Sequence, residues 1–237
     1  MFSSLNSKER EKFDDLSEKW WDEDGPFKHL HIMNQLRVSY IKNILFNNNK
    51  TLQNSRCLDV GCGGGILSFS LEKLGANVTA IDASSPTIKK ASSINELKGS
   101  NVLFKVSTIE ELVEEQFDIV CCMEVIEHID NVYCFLHELE KNTKTDGFIF
   151  ISTINRNVIS YLKAIVVAEY MLRFVPIGTH SWKKFIKPSE IVDGLNSCKP
   201  IDITGMKFSP ISKNWEFSSD ISTNYIAAFK KNNLLNL

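Results

Sequence analysis

Between residues 56 and 152 short apolar runs alternate with longer two-faced stretches. The pattern predicts strands at 56–60, 77–81, 102–106, 117–122 and 147–152, with helices at 64–74, 85–97 and 131–142. Strands and helices taking turns at this spacing argue for a parallel sheet covered by helices on both faces. Upstream, residues 8–21 read as an amphipathic helix ending at Trp20-Trp21, followed by a turn at Asp22-Glu23-Asp24-Gly25-Pro26. A second helix is expected at 34–46, broken by Asn47-Asn48-Asn49. After residue 190 come a short helix, a strand near 201–208 and a last strand near 222–230. Pro210 to Asn214 are turn residues that would let these two strands pair as an antiparallel hairpin at one sheet edge. The division that follows is a helical cap over residues 1–50 and a ligand-binding domain over 51–237.

An insert at about 155–187 interrupts this rhythm. Val158 to Val175 is apolar around most of its circumference, with only Lys163, Glu169 and Arg173 charged. Three charges in that length argue against a membrane span. The apolar surface must still be buried in the core, in a lid over a substrate pocket, or in a membrane surface. Lys183, Lys184 and Lys187, interleaved with Trp182 and Phe185, suit an anionic lipid surface.

Candidate chemistry begins at Cys57-Leu58-Asp59-Val60-Gly61-Cys62-Gly63-Gly64-Gly65, where a strand enters a glycine loop and a helix follows. Such a loop lets a ligand touch backbone. A dinucleotide is disfavoured because Ile66 stands where a third glycine belongs and Asp59 would repel a pyrophosphate. A cationic ligand without phosphate, S-adenosylmethionine (AdoMet), fits better. Asp82, ending the next strand, is spaced to accept two ribose hydroxyls. Asp59, Gly61, Asp82 and Met123 all fall at strand carboxyl ends, where such sheets bind ligands.

A second constellation follows the strand 117–122. If residues 124–128 form one helical turn, Glu124, Glu127 and His128 share a face. Two carboxylates and an imidazole can hold a divalent cation, Mg²⁺ foremost and Zn²⁺ or Mn²⁺ next. His128 could instead be a general base without a metal, or the turn could be a helix start whose acids complement the dipole.

Composition narrows the class. The 237 residues are 43% hydrophobic and 24% charged, ordinary for a globular protein, and the net charge of −2 gives no pull toward nucleic acid. Six cysteines show no C-x-x-C pair and no zinc spacing, which reads as a reducing compartment. Residues 1–10 are polar and lack the apolar core of a secretory signal; the expected setting is bacterial cytoplasm, or the mitochondrial matrix if a presequence is missing.

Three segments together carry a resemblance. They are Trp20-Trp21-Asp22 with Gly25-Pro26-Phe27-Lys28-His29-Leu30-His31 and Asn34-Gln35-Leu36-Arg37; the glycine loop with Glu124-x-x-Glu127-His128; and Ser152-Thr153-Ile154-Asn155-Arg156-Asn157 with Gly178-Thr179-His180 through Phe185-Ile186-Lys187-Pro188. The chain resembles the ubiquinone-biosynthesis O-methyltransferases over about residues 10–230. The resemblance implies an α/β class I AdoMet-dependent methyltransferase with a seven-stranded, mostly parallel Rossmann-like sheet. It implies methylation of phenolic hydroxyls on polyprenylated ubiquinone precursors, including demethylubiquinol. Arg37, Gly61, Asp82 and Met123 would contact AdoMet, joined by Asp59 and Gly63 of the loop, and Glu124, Glu127 and His128 match the family's metal-ligand pattern. The insert 158–187 would meet membrane lipid, making the protein peripheral at the inner face of the membrane and a neighbour of other enzymes of the route. His29 and Gln35 stand where the family usually has proline, which should loosen the turn that places Arg37.

Overall fold

The computed structural model describes residues 14, 16–22, 24–112, 116–160 and 182–232. Eight strands form one sheet: β1 (Arg56–Val60), β2 (Asn77–Asp82), β3 (Leu103–Val106), β4 (Phe117–Met123), β5 (Thr143–Ile154), β6 (Cys198–Ser209), β7 (Asn214–Ser218) and β8 (Asn224–Lys231). Their order is β3-β2-β1-β4-β5-β8-β6-β7. The first five run parallel, and β8 enters antiparallel between β5 and β6.

The seven-stranded count implied by the resemblance is corrected to eight. The turn around residues 210–213 is real, but the chain returns as β7 before β8 begins. There Trp215 and Phe217 pack against Phe208 and Tyr40 at centroid distances of 6.0 and 6.1 Å. The expected pairing of the last two predicted strands holds between β6 and β8, while β7 takes the edge.

The longer helices among the described residues are α1 (Lys28–Asn47), α2 (Ile66–Lys73), α3 (Ser85–Lys98), α4 (Val132–Lys141) and α5 (Pro188–Gly194). Their ends follow from local chemistry. Ser84 caps α3 by accepting from the Thr87 amide at 3.1 Å, Pro86 sits in its first turn, and Gly99 ends it at φ +61°. Asn131 caps α4 through the Cys134 amide at 3.1 Å.

Helix α1 begins six residues before the predicted start, directly after the turn closed by the Gly25 amide on Asp22 O at 3.0 Å. His29 and Gln35 therefore lie inside a continuous helix, and the loosened turn expected from the missing prolines does not arise. Its buried stripe is Met33, Arg37, Tyr40, Ile41, Ile44 and Leu45, so helical periodicity carries Arg37 to the sheet. Asn34 locks α1 to α2 through Ser70 Oγ at 2.9 Å and the Ile66 carbonyl at 3.3 Å.

One core layer joins Ile41, Leu45 and Leu71 to Phe148 and Phe150; the other joins Leu136, Leu139 and Ile191 to Ile149, Ile151 and Tyr225. Successive β5 residues thus alternate between faces, and this decides which face each site residue reaches. Within the span predicted as the N-terminal helix, Asp14 is helical and Ser17–Lys19 form a 3₁₀ turn; residues 8–13 and 15 lie outside the described residues. The apolar stretch of the insert lies there too from residue 161 to 175. No described helix is long and apolar enough to cross a membrane. All six cysteines are free thiols.

Candidate active site

Strand register gathers the candidate residues. Val60 pairs with Ile81 on one side and Cys122 on the other, and Met123 pairs with Ser152. The carboxyl ends of β1, β2, β4 and β5 therefore bring Asp59, Gly61, Asp82, Met123, Glu124 and Ser152 to one end of the sheet.

The glycine loop turns on left-handed residues that a Cβ would strain. Gly61 has φ +66° and faces Val125; Gly63 has φ +53° and faces the indole of Trp20. The loop is pinned by Asp82, whose carboxylate accepts from the Gly63 amide at 3.0 Å and the Ser84 amide at 2.9 Å. A carboxylate has about four acceptor sites, so Asp82 keeps capacity for ribose hydroxyls. Burial raises its pKa.

Asp59 lies deeper than a loop-side contact. It is 2% exposed and accepts from Ser68 Oγ at 2.5 Å, bracing α2 against β1. Burial pushes its pKa up to about 7, opposed by the Ser68 hydrogen bond and the Arg37 charge. A carboxyl raised in the fold stabilises the native state most fully below its ordinary value of 3.8, and that stability is lost as pH rises through about 7. Asp59→Asn should therefore raise the unfolding midpoint at pH 8, where roughly 4 kcal/mol of ionisation penalty is relieved, and change little near pH ~3.5. Thermal unfolding at the two pH values checks this.

Arg37 is 5% exposed and sits with Nη2 3.0 Å from Glu124 Oε1. The contact satisfies charge but not direction: among the described residues, Nε and Nη2 have no hydrogen-bond acceptor. A buried guanidinium with two undirected donors fits a carboxylate ligand such as the methionine end of AdoMet.

The turn after β4 departs from expectation. Glu124 has φ +56°, a left-handed conformation uncommon for a non-glycine residue, and the 3₁₀ turn Ile126–His128 starts only after it. Glu124, Glu127 and His128 therefore do not share one helical face. Glu124 Oε1 accepts from Ser152 Oγ at 2.6 Å, and Glu127 Oε2 accepts from Thr153 Oγ1 at 2.8 Å. Ser152 and Thr153 are neighbours on β5, so each carboxylate is anchored by a different residue of that strand. Burial and the Glu124 charge raise the Glu127 pKa, while His128 pulls it down. The donor set suits a hard divalent cation by chemistry. Among the described residues, however, no group of three acid, histidine or cysteine side chains is arranged to hold one.

The sequence reading gave no role to the cover over the loop. The Trp20 indole packs on Gly63 and Gly64 and stacks on Phe27 with centroids 3.8 Å apart. Trp21 Nε1 donates to Gly64 O at 2.9 Å, and the His31 ring meets Trp20 O at 2.7 Å. Glu18 pairs with Lys90 at 2.7 Å, and Ser84 Oγ donates to Asp14. The adjacent tryptophans were the available signal. A methyl group at Gly63 would meet the Trp20 ring in a left-handed conformation, so Gly63→Ala should cost roughly 2–4 kcal/mol. Red-shifted tryptophan emission and a lowered unfolding midpoint would report it.

Comparison with known proteins agrees with this geometry. A family model described as a methyltransferase domain matches residues 52–189. The ubiquinone biosynthesis O-methyltransferase of Pelagibacter ubique is 41% identical over 239 residues, covering 97% of this chain and 100% of that protein. Its namesake in Nitrosomonas europaea is 42% identical over 227 residues, covering 94% and 95%. Among solved structures, the magnesium protoporphyrin IX methyltransferase of Synechocystis with bound SAM has a TM-score of 0.65 at 17% identity, covering 97% of this chain and 100% of that one. A possible histamine N-methyltransferase of Thermotoga maritima also gives 0.65, at 16% identity and 94% and 98% coverage. These two share the class I AdoMet-dependent methyltransferase fold. With 41–42% identity to these relatives over nearly its full length, and with the loop, Arg37 and the acidic turn in place, the chain belongs to the ubiquinone biosynthesis O-methyltransferase family.

Proposed function

We propose that the protein transfers the methyl group of AdoMet to phenolic hydroxyls of polyprenylated ubiquinone precursors, demethylubiquinol among them. The supporting observation is the meeting of two half-sites on adjacent strands. The β1–β2 end carries the glycine loop, Asp59 and Asp82, with Arg37 above; the β4 end carries Met123, Glu124, Glu127 and His128.

AdoMet, when bound, supplies an electrophilic methyl on a sulfonium. Arg37 holds its carboxylate, the loop backbone and Met123 line its path, and Asp82 takes the ribose. The acceptor phenol titrates near ~10 and needs to lose its proton at neutral pH. His128 takes that proton, and the Glu127 carboxylate stabilises the resulting imidazolium. The O–CH₃ bond forms as the S–CH₃ bond breaks, giving a methyl ether, S-adenosylhomocysteine and a proton on His128. Glu124, Glu127 and His128 are also the residues that would hold a divalent cation, which would supply Lewis-acid stabilisation of the phenolate.

The deciding experiment is methyl transfer from labelled AdoMet to a short-tail demethylubiquinol analogue, with and without EDTA and with Mg²⁺, Zn²⁺ or Mn²⁺ returned. Turnover of the quinol supports the reading. Loss with EDTA and recovery with metal assigns the three residues to a cation, whereas indifference to EDTA leaves His128 as the base. Bound AdoMet without turnover overturns the acceptor class.

We also propose peripheral contact with an anionic membrane surface on the cytoplasmic side, through the insert. Its described ends support this. Val158 and Trp182 are exposed, Lys187 is exposed beside them, and Trp182 Nε1 donates to Asn157 O at 3.0 Å, drawing the two ends together. Co-sedimentation with phosphatidylglycerol vesicles but not phosphatidylcholine vesicles is the expected result.

A further inference from the structure

Arg37 and Glu124 form a pair whose design is unusual for a structural ion pair. The guanidinium is buried, its Nη2 lies 3.0 Å from Glu124 Oε1, and yet among the described residues Nε and Nη2 lack aligned acceptors. Structural pairs at this depth ordinarily satisfy those donors. Glu124 reaches Arg37 from a left-handed backbone at φ +56°, a conformation that costs free energy and persists where surroundings impose it. Ser152 Oγ holds the same oxygen at 2.6 Å, so Glu124 has a second partner that stays when Arg37 leaves.

We infer that Glu124 is an internal substitute for the cofactor's carboxylate, occupying Arg37 until AdoMet binds and then released, still held by Ser152, to the acceptor half of the site. The inference rests on the AdoMet reading above and extends it to the order of events. A ligand carboxylate can offer Arg37 the bidentate geometry that Glu124 does not. Exchange of partners removes a negative charge from Arg37 and returns it to the β4 turn, beside Glu127 and His128. Cofactor thus binds first, and the acceptor half becomes complete only afterwards. Glu124 acts here as a positioning residue.

The signature is opposite to that of an ordinary contact residue. Removing a competitor from Arg37 leaves a buried cation unpaired until ligand arrives, so the ligand binds more tightly. Calorimetric titration of S-adenosylhomocysteine into Glu124→Gln should show affinity about tenfold or more above the native protein. The decarboxylated analogue, which cannot engage Arg37, should bind both proteins within about twofold of each other. Unchanged or weaker binding of S-adenosylhomocysteine by Glu124→Gln overturns the inference. A second arm needs no variant. A short-tail quinol analogue should bind the native protein several-fold more tightly with saturating S-adenosylhomocysteine than with the decarboxylated analogue; equal affinities overturn the exchange. Should S-adenosylhomocysteine fail to bind the native protein, the AdoMet reading falls and takes this inference with it. Should it bind and methyl transfer proceed without either contrast, only the exchange falls.

Discussion

Arg37→Met should weaken S-adenosylhomocysteine binding about a hundredfold or more, with little effect on the decarboxylated analogue. Truncating one partner of a desolvated charge pair costs on the order of 2–5 kcal/mol, part of it the penalty on the charge left behind. Here two penalties are separable. In the free protein the variant strands Glu124, which keeps Ser152 but loses its countercharge. The unfolding midpoint should therefore drop, and adding Glu124→Gln should recover most of it. In the complex the missing guanidinium cannot be replaced, so the double variant should stay as weak a binder as Arg37→Met. Arg37→Lys keeps the charge but not the fork, and should fall between. A double variant that regained affinity would show that Arg37 serves the fold rather than the ligand.

The parts of this site that the sequence announced are those built by neighbours in the chain. The glycine loop, the strand before it and Asp82 were legible because a tight turn needs glycine at Gly61 and Gly63 and a parallel neighbour must end close by. Arg37 became legible through the resemblance, and helical periodicity explains its burial: it lies four residues after Met33 and three before Tyr40 on one stripe. The acidic turn was misread because periodicity assumes right-handed backbone. A glutamate at φ +56° leaves no mark in composition, and its conformation is fixed by Ser152 and Arg37, which lie far away in sequence. The same holds for Thr153 on Glu127. Both bonds depend on the β4–β5 register, and β5 extends to Ile154, past the predicted end at residue 152. The missed strand β7 has a similar cause. Asn214–Ser218 is short and polar at both ends, and it becomes a strand because Trp215 and Phe217 find aromatic partners on β6 and α1.

The acceptor half offers the second large effect. His128→Gln should lower methyl transfer by about 10²–10⁴, the range typical of removing a positioned proton acceptor, with cofactor affinity unchanged. Glu127→Gln should lower it by a comparable or smaller factor while leaving the Thr153 hydroxyl a carbonyl oxygen to donate to, so the fold survives the change. The pH dependence distinguishes the roles. In the native protein the rate should rise with pH as the proton acceptor is freed, and Glu127, whose pKa burial raises and the His128 charge pulls down, is electrostatically coupled to it. Glu127→Gln removes that coupling and should move the rise to lower pH. His128→Gln should abolish it, leaving only the slope of the phenol's own ionisation, which a more acidic phenol would shift and largely rescue. Full turnover by His128→Gln with an ordinary phenol, in EDTA, would mean that neither a base nor a metal ligand is needed at this position. Acceptor deprotonation would then have to be assigned to Glu127, whose raised pKa already places it among the groups that can take a proton near neutrality.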